Sequence, residues 1–113
     1  MAYYIGLDVS QSRTSICIID TQGKVVFEGS SLSNPQEIFK WIANRAKTSE
    51  VEKVGLEAGS LSSWLHTGLS GLGLPAVCLE TFQAHQFLKT QRNKTDKNDA
   101  RGLAQLVRMG NDF

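Results

Sequence analysis

Apolar positions in this chain follow two rhythms. From Tyr3 to Val9 they alternate, with Ile5, Leu7 and Val9 on one side and Tyr4, Gly6 and Asp8 on the other. That period of two predicts a strand. An isoleucine-rich run from Thr14 to Asp20 and a shorter one from Lys24 to Glu28 predict two more. Ser10-Gln11-Ser12 and Thr21-Gln22-Gly23 lie between them as turns, so the chain opens as a three-stranded antiparallel meander. The spacing then becomes helical. Asn34 caps and Pro35 begins a helix whose apolar face is Ile38, Phe39, Ile42 and Ala46, ending near Thr48. Val51–Glu57 is a fourth strand. Leu61–Leu72 is a second helix, with Trp64, Leu65 and Leu69 on its face and Gly71 and Gly73 at its end. Pro75–Leu79 is a fifth strand, and Phe82–Leu88 a short helix. In the last helix Ala100, Leu103, Ala104 and Val107 recur at helical spacing.

The order β-β-β-α-β-α-β-α-α predicts an α/β fold, a mixed five-stranded sheet with helices on its faces. A strand reached through a helical crossover lies parallel to one already in the sheet, which applies to the fourth and fifth strands. The order is similar to that of the ribonuclease H-like architecture. With 113 residues and no evident linker, residues 1–113 form one domain.

Composition adds little until charge is located. Twelve Lys and Arg nearly cancel eleven Asp and Glu, yet Lys89, Arg92, Lys94, Lys97 and Arg101 crowd into one short stretch. Such a patch suits phosphate contact, which is blind to sequence and sensitive to salt. No apolar run reaches the length of a membrane span, and the start lacks a signal peptide's basic segment, so a cytoplasmic location is expected. Cys17 and Cys78 lie far apart in apolar strands and read as reduced core residues. His66 and His85 have no companions at ligand spacing and read as structural. The serines at 10, 12, 60, 62 and 63 have no His and acid at triad spacing; they read as turn and helix-start residues.

The acids are more telling. Asp96 lies four residues before Ala100, and Asp99 four before Leu103, so both extend the apolar stripe of the last helix. Two like charges on a packing face are costly unless something neutralises them. Ile5-Gly6-Leu7-Asp8 in the first strand is echoed by Val54-Gly55-Leu56-Glu57 in the fourth. In each, glycine leaves room beside a carboxylate at a strand's carboxyl end. If those strands are parallel neighbours, both acids stand at the edge where α/β sheets bind ligands. Each acid alone has a structural reading as strand end, helix-dipole partner or ion pair. Together, Asp8, Glu57, Asp96 and Asp99 form an all-oxygen donor set suited to Mg²⁺ or Mn²⁺. Two such ions about 4 Å apart can activate a nucleophile and hold a leaving oxygen in phosphoryl transfer.

Three segments carry a resemblance to a known family: Tyr4-Ile5-Gly6-Leu7-Asp8-Val9-Ser10, Val54-Gly55-Leu56-Glu57-Ala58 and Lys94-Thr95-Asp96-Lys97-Asn98-Asp99-Ala100-Arg101. With Leu74-Pro75-Ala76-Val77 they resemble the N-terminal domain of the DEDD transposases of the insertion-sequence 110 family, which includes the pilin-gene invertases. The resemblance places the family's DEDD tetrad on Asp8, Glu57, Asp96 and Asp99 and implies a fold like that of the resolvase RuvC. It implies a Mg²⁺-dependent, prokaryotic, nucleoid-associated recombinase that cleaves and transfers DNA strands, guided by an element-encoded RNA and oligomeric at full length. The family's second, helical domain, with its serine, has no counterpart here, so this chain is expected to be incomplete for strand exchange. The first segment also resembles the opening of actin-like sugar kinases, which makes a nucleotide-binding domain the main alternative. A non-catalytic nucleic-acid-binding module is the other.

Overall fold

The computed structural model describes residues 1–79 and 96–110, with side chains for all of these except 96–98. Three strands open the chain: β1 (Tyr3–Val9), β2 (Arg13–Ile19) and β3 (Val25–Leu32). They are followed by α1 (Pro35–Ala43), β4 (Val51–Glu57), α2 (Ser62–Gly71), β5 (Ala76–Leu79) and α3 (Asp96–Arg108). The five strands form one sheet in the order β3-β2-β1-β4-β5. β1 pairs antiparallel with β2 and parallel with β4, and β4 pairs parallel with β5. The mixed sheet expected from the element order is therefore the observed one. The segment 82–88 lies outside the described residues.

Local chemistry accounts for the boundaries. Asn34 Oδ1 accepts the Glu37 amide at 2.8 Å, and Pro35 at the first helical position has no N–H to satisfy. The β2–β3 turn closes on Asp20, whose carboxylate accepts the amides of Gln22 at 2.9 Å and Lys24 at 3.0 Å. Those bonds, that from Lys24 foremost, hold the Asp20 carboxyl below its usual range. Gly23 completes the turn at φ +84°. Two boundaries differ from expectation by more than one residue. β3 runs on through the polar Gly29-Ser30-Ser31 to Leu32, because β2 offers it a continuous ladder and Thr14 Oγ1 bonds Ser33 Oγ at 2.8 Å just beyond. α1 ends at Ala43 rather than near Thr48, and a turn closed by the Ala46 amide on the Ile42 carbonyl at 2.9 Å still buries Ala46.

Alternation in the strands divides the core into two layers. Ile5, Leu7, Ile16, Ile18, Val54 and Leu56 pack under Ile38 and Ile42 of α1 and Leu65 and Leu69 of α2. On the other face lie Cys17 and Ile19 with Ala100 and Ala104, and Leu79 with Leu103, Leu106 and Val107. Every apolar position expected on the inner face of α3 is buried.

Candidate metal and nucleic-acid site

The register of β1 and β4 brings two carboxylates together. Gly6 pairs with Gly55 and Leu7 with Leu56; Asp8 and Glu57 are the next residue of each strand. Neighbouring strands lie about 4.8 Å apart, and matched residues share a face. Both acids are half-buried and line one cavity of about 340 Å³ with Ser10, Gln11, Ser60 and Ser62. The hydroxyls of Ser10 and Ser62 lace their own loops, as a turn reading expects. Ser10 Oγ donates to the Arg13 carbonyl at 2.5 Å. Ser62 Oγ donates to the Gly59 carbonyl at 2.7 Å and accepts the Gly59 amide at 3.1 Å.

The two glycines do not open space beside the carboxylates, contrary to the sequence expectation. They let α3 lie on the sheet. A Cβ on Gly6 would stand 2.1 Å from the Ala100 carbonyl oxygen and 2.5 Å from the Ala104 nitrogen. A Cβ on Gly55 would meet Val107 Cγ1 at 2.4 Å. The direction of α3 follows from its other end. Gln105 Nε2 donates to the Gly23 carbonyl at 2.8 Å and Arg108 Nη1 to the Thr21 carbonyl at 3.4 Å. That turn lies at the start of β1, where Tyr4 pairs with Ile19. The amino end of α3 therefore points toward Asp8.

Asp99 lies in the first turn of α3 and is half-buried. Asp96 is its first residue, with a side chain outside the described ones. Among the described residues no three of His, Cys, Asp and Glu come together to hold a metal, so Asp99 does not join Asp8 and Glu57 in such a group. The strand pair itself fits a hard divalent cation: two carboxylates beside hydroxyl and carbonyl oxygens, with no imidazole or thiolate on the cavity among the described residues.

Of the expected basic patch, Lys89, Arg92 and Lys94 lie outside the described residues, as does the side chain of Lys97. Arg101 is exposed, but its charge is matched. Its guanidinium grips Glu28 of β3 through Nε to Oε2 and through Nη2 to Oε1 at 2.9 Å. Trp64 departs from its expected packing role. It is 52% exposed on the first turn of α2, two residues beyond Ser62. The flanking Ser62 and Ser63 were the available signal that this face is wet.

A family model described as "Transposase", that of the insertion-sequence 110 DEDD family, matches residues 5–113. No curated protein matches the chain. Among solved structures, Thermus thermophilus RuvC in complex with Holliday junction substrate is similar at TM-score 0.65 and 14% identity, over 97% of this chain and 97% of that one. A second Thermus thermophilus RuvC structure is similar at TM-score 0.65 and 14% identity, over 96% and 97% of the two chains. A ROK family glucokinase from Streptomyces griseus, in complex with glucose and AMPPNP, is similar at TM-score 0.54 and 18% identity, over 76% of this chain and 35% of that one. At these identities the likeness is one of fold, and the fold is ribonuclease H-like in its RuvC form. No helix among the described residues is long and apolar enough to cross a membrane. With residues 5–113 matched, the chain belongs to the DEDD transposase family of insertion sequence 110.

Proposed function

We propose that residues 1–113 form a metal-dependent catalytic domain that cleaves and transfers DNA strands, with Asp8, Glu57, Asp96 and Asp99 as its acidic tetrad. The observation that carries this reading is the side-by-side placement of Asp8 and Glu57 on one cavity, with the amino end of α3 aimed at the same edge. Asp8 and Glu57 would hold Mg²⁺ from the sheet, and Asp99 and Asp96 would approach from the helix. When bound, such ions lower the pKa of water and stabilise the charge on a leaving oxygen. The protein's own contribution is rigidity: one strand pair and one helix, locked through Gly6 and Gly55, fix where the carboxylates can be. The cations at 89, 92, 94 and 97 would supply a positive rim, and an element-encoded RNA would supply target choice. Full strand exchange would call on a further helical domain and on oligomerisation.

The test is metal titration with Mn²⁺ on the chain and on Asp8→Asn, Glu57→Gln and Asp99→Asn, alongside a fold check by circular dichroism. Each variant should keep the fold and lose affinity at least tenfold. Unchanged metal affinity in all three would sink the assignment. The glucokinase likeness keeps a nucleotide-binding reading in view, on fold alone. Submillimolar ATP binding that survives Asp99→Asn would favour it.

A further inference from the structure

We propose that a nucleic-acid strand leaves the acid cavity across β1, β2 and β3, held along its phosphates by Ser15, Ser30 and a cationic corner around Arg13. This rests on the nucleic-acid reading above and adds the path of the strand. The path begins with register. Asp8 pairs with Ser15, and Ser15 with Ser30. Directly opposed residues share a face, so the three side chains form one row across the sheet. The next row toward the start of β1, Gly6, Cys17 and Glu28, lies under α3. The row at Asp8 therefore lies on the α3 side, just beyond Ala100. Among the described residues, a hollow of about 270 Å³ opens there, lined by Ser15, Glu28, Ser30 and Ala100.

Ser30 also lines a second depression, of about 370 Å³, which wraps the edge strand and holds Arg13, Lys40, Trp41 and Arg45. The row thus continues into a basic corner. Arg13 Nε and Nη2 each donate to Ser30 Oγ at 3.3 Å, and Nη2 also to the Ser30 carbonyl at 3.3 Å. These partners are neutral, and among the described residues Arg13 has no acidic partner. Arg45 is likewise held by neutral groups. It stacks over the Trp41 ring at 3.9 Å and donates to the Trp41 carbonyl at 3.0 Å. Lys40 meets Glu37 only at 3.9 Å. Among the described residues three cations face one carboxylate in this corner. Arg101, in contrast, is cancelled by Glu28.

Hydroxyls followed by unmatched guanidinium groups suit a sugar–phosphate backbone. Such groups position a strand without reading its bases. Strand spacing puts Ser30 about 10 Å from Asp8, so the corner engages phosphates beyond the one at the acids. The occupant is a single strand, because the row is one residue wide.

The experiment measures binding of a fluorescein-labelled single-stranded DNA oligonucleotide to the full chain across a salt series. Arg13→Ala should weaken binding severalfold and lower the slope of log K against log salt by about 0.7, the value for one phosphate contact on a single strand. Arg45→Ala should add to it. Ser30→Ala, which removes the tether but no charge, should weaken binding with the slope retained. Lys24→Ala, at the opposite end of the sheet, should bind as the parent does. Equal affinity and slope in folded Arg13→Ala and Arg45→Ala would overturn the path, as would a parent chain that does not bind the oligonucleotide. The acid site is judged separately, by Mn²⁺ titration of Asp8→Asn, so failure of the path and failure of the catalytic reading are told apart.

Discussion

Gly6 of β1 lies beneath Ala100 of α3, with 2.1 Å between the Ala100 oxygen and the place a Cβ would take. The obstacle is backbone on both sides and cannot rotate away. Gly6→Ala should therefore push α3 off the sheet and destabilise the fold by about 3 kcal/mol or more, the upper end for overpacking. At Gly55 the obstacle is one methyl of Val107, at 2.4 Å. Gly55→Ala should cost less, and Val107→Ala should rescue part of it, while no single α3 side-chain truncation rescues Gly6→Ala. Urea unfolding of the two variants and of the Gly55/Val107 double-mutant cycle checks this.

The Arg101–Glu28 pair couples α3 to the edge strand at small energetic gain. The arginine side chain is 44% exposed and the glutamate 15%, so solvent screens the pair to about 1 kcal/mol or less. Glu28→Gln should leave the thermal midpoint within a few degrees. It should also tighten binding of single-stranded DNA at low salt, because Arg101 becomes an unmatched cation facing the hollow beside Ser30. A thermal melt reads the first consequence and fluorescence anisotropy at two salt concentrations the second, and weaker binding in the variant would contradict the placement of the strand.

Cys17 makes an alkaline prediction. Burial first, and the Glu28 carboxylate second, push its thiol up from 9.0 to about 12, against a smaller opposing pull from Arg101. Between those values the unfolded chain loses the proton and the native chain keeps it. The native state then binds more protons, so stability falls as pH rises from about 9, at no more than about 1.4 kcal/mol per pH unit. Cys17→Ala should flatten that slope. Iodoacetamide should label the half-buried Cys78 well before Cys17.

Trp64 offers a flat apolar surface one turn from the acid cavity. A base stacked on an aromatic ring contributes about 1–3 kcal/mol by alanine substitution. Trp64→Ala should weaken oligonucleotide binding by roughly tenfold with the salt slope unchanged, since no charge is lost. Because the ring is mostly exposed, the unfolding midpoint should barely move.

Much of this was legible from residue order. Alternation in β1 and β4, the Asn34-Pro35 helix start and the 3.6-residue stripe of α3 are local patterns, and local patterns report their own burial. The parallel pairing that sets Asp8 beside Glu57 followed from one helical crossover. Three features were not legible. Gly6 and Gly55 read as room for carboxylates because the helix that fills the space comes from the far end of the chain. Trp64 sat at a core-like spacing, but α2 buries only Leu65 and Leu69, a narrower stripe than the sequence suggests. The place of Arg13 is the third, because its partner, Ser30, becomes a neighbour only through the extended pairing of β3.

The position of α3 also sets an order of events. A chain made from its amino end presents β1 to β5 first, with Cys17, Ile19 and the glycine pair of β1 and β4 still bare on one face. Domains form as units once their parts are available, and here α3, which covers this face, is made after the sheet. The ribosome therefore releases the strands that carry Asp8 and Glu57 before the helix that covers their sheet. Until synthesis has passed Arg108 this face of the sheet therefore lacks its helical cover, and Gly6 and Gly55 wait for the helix they are shaped to receive.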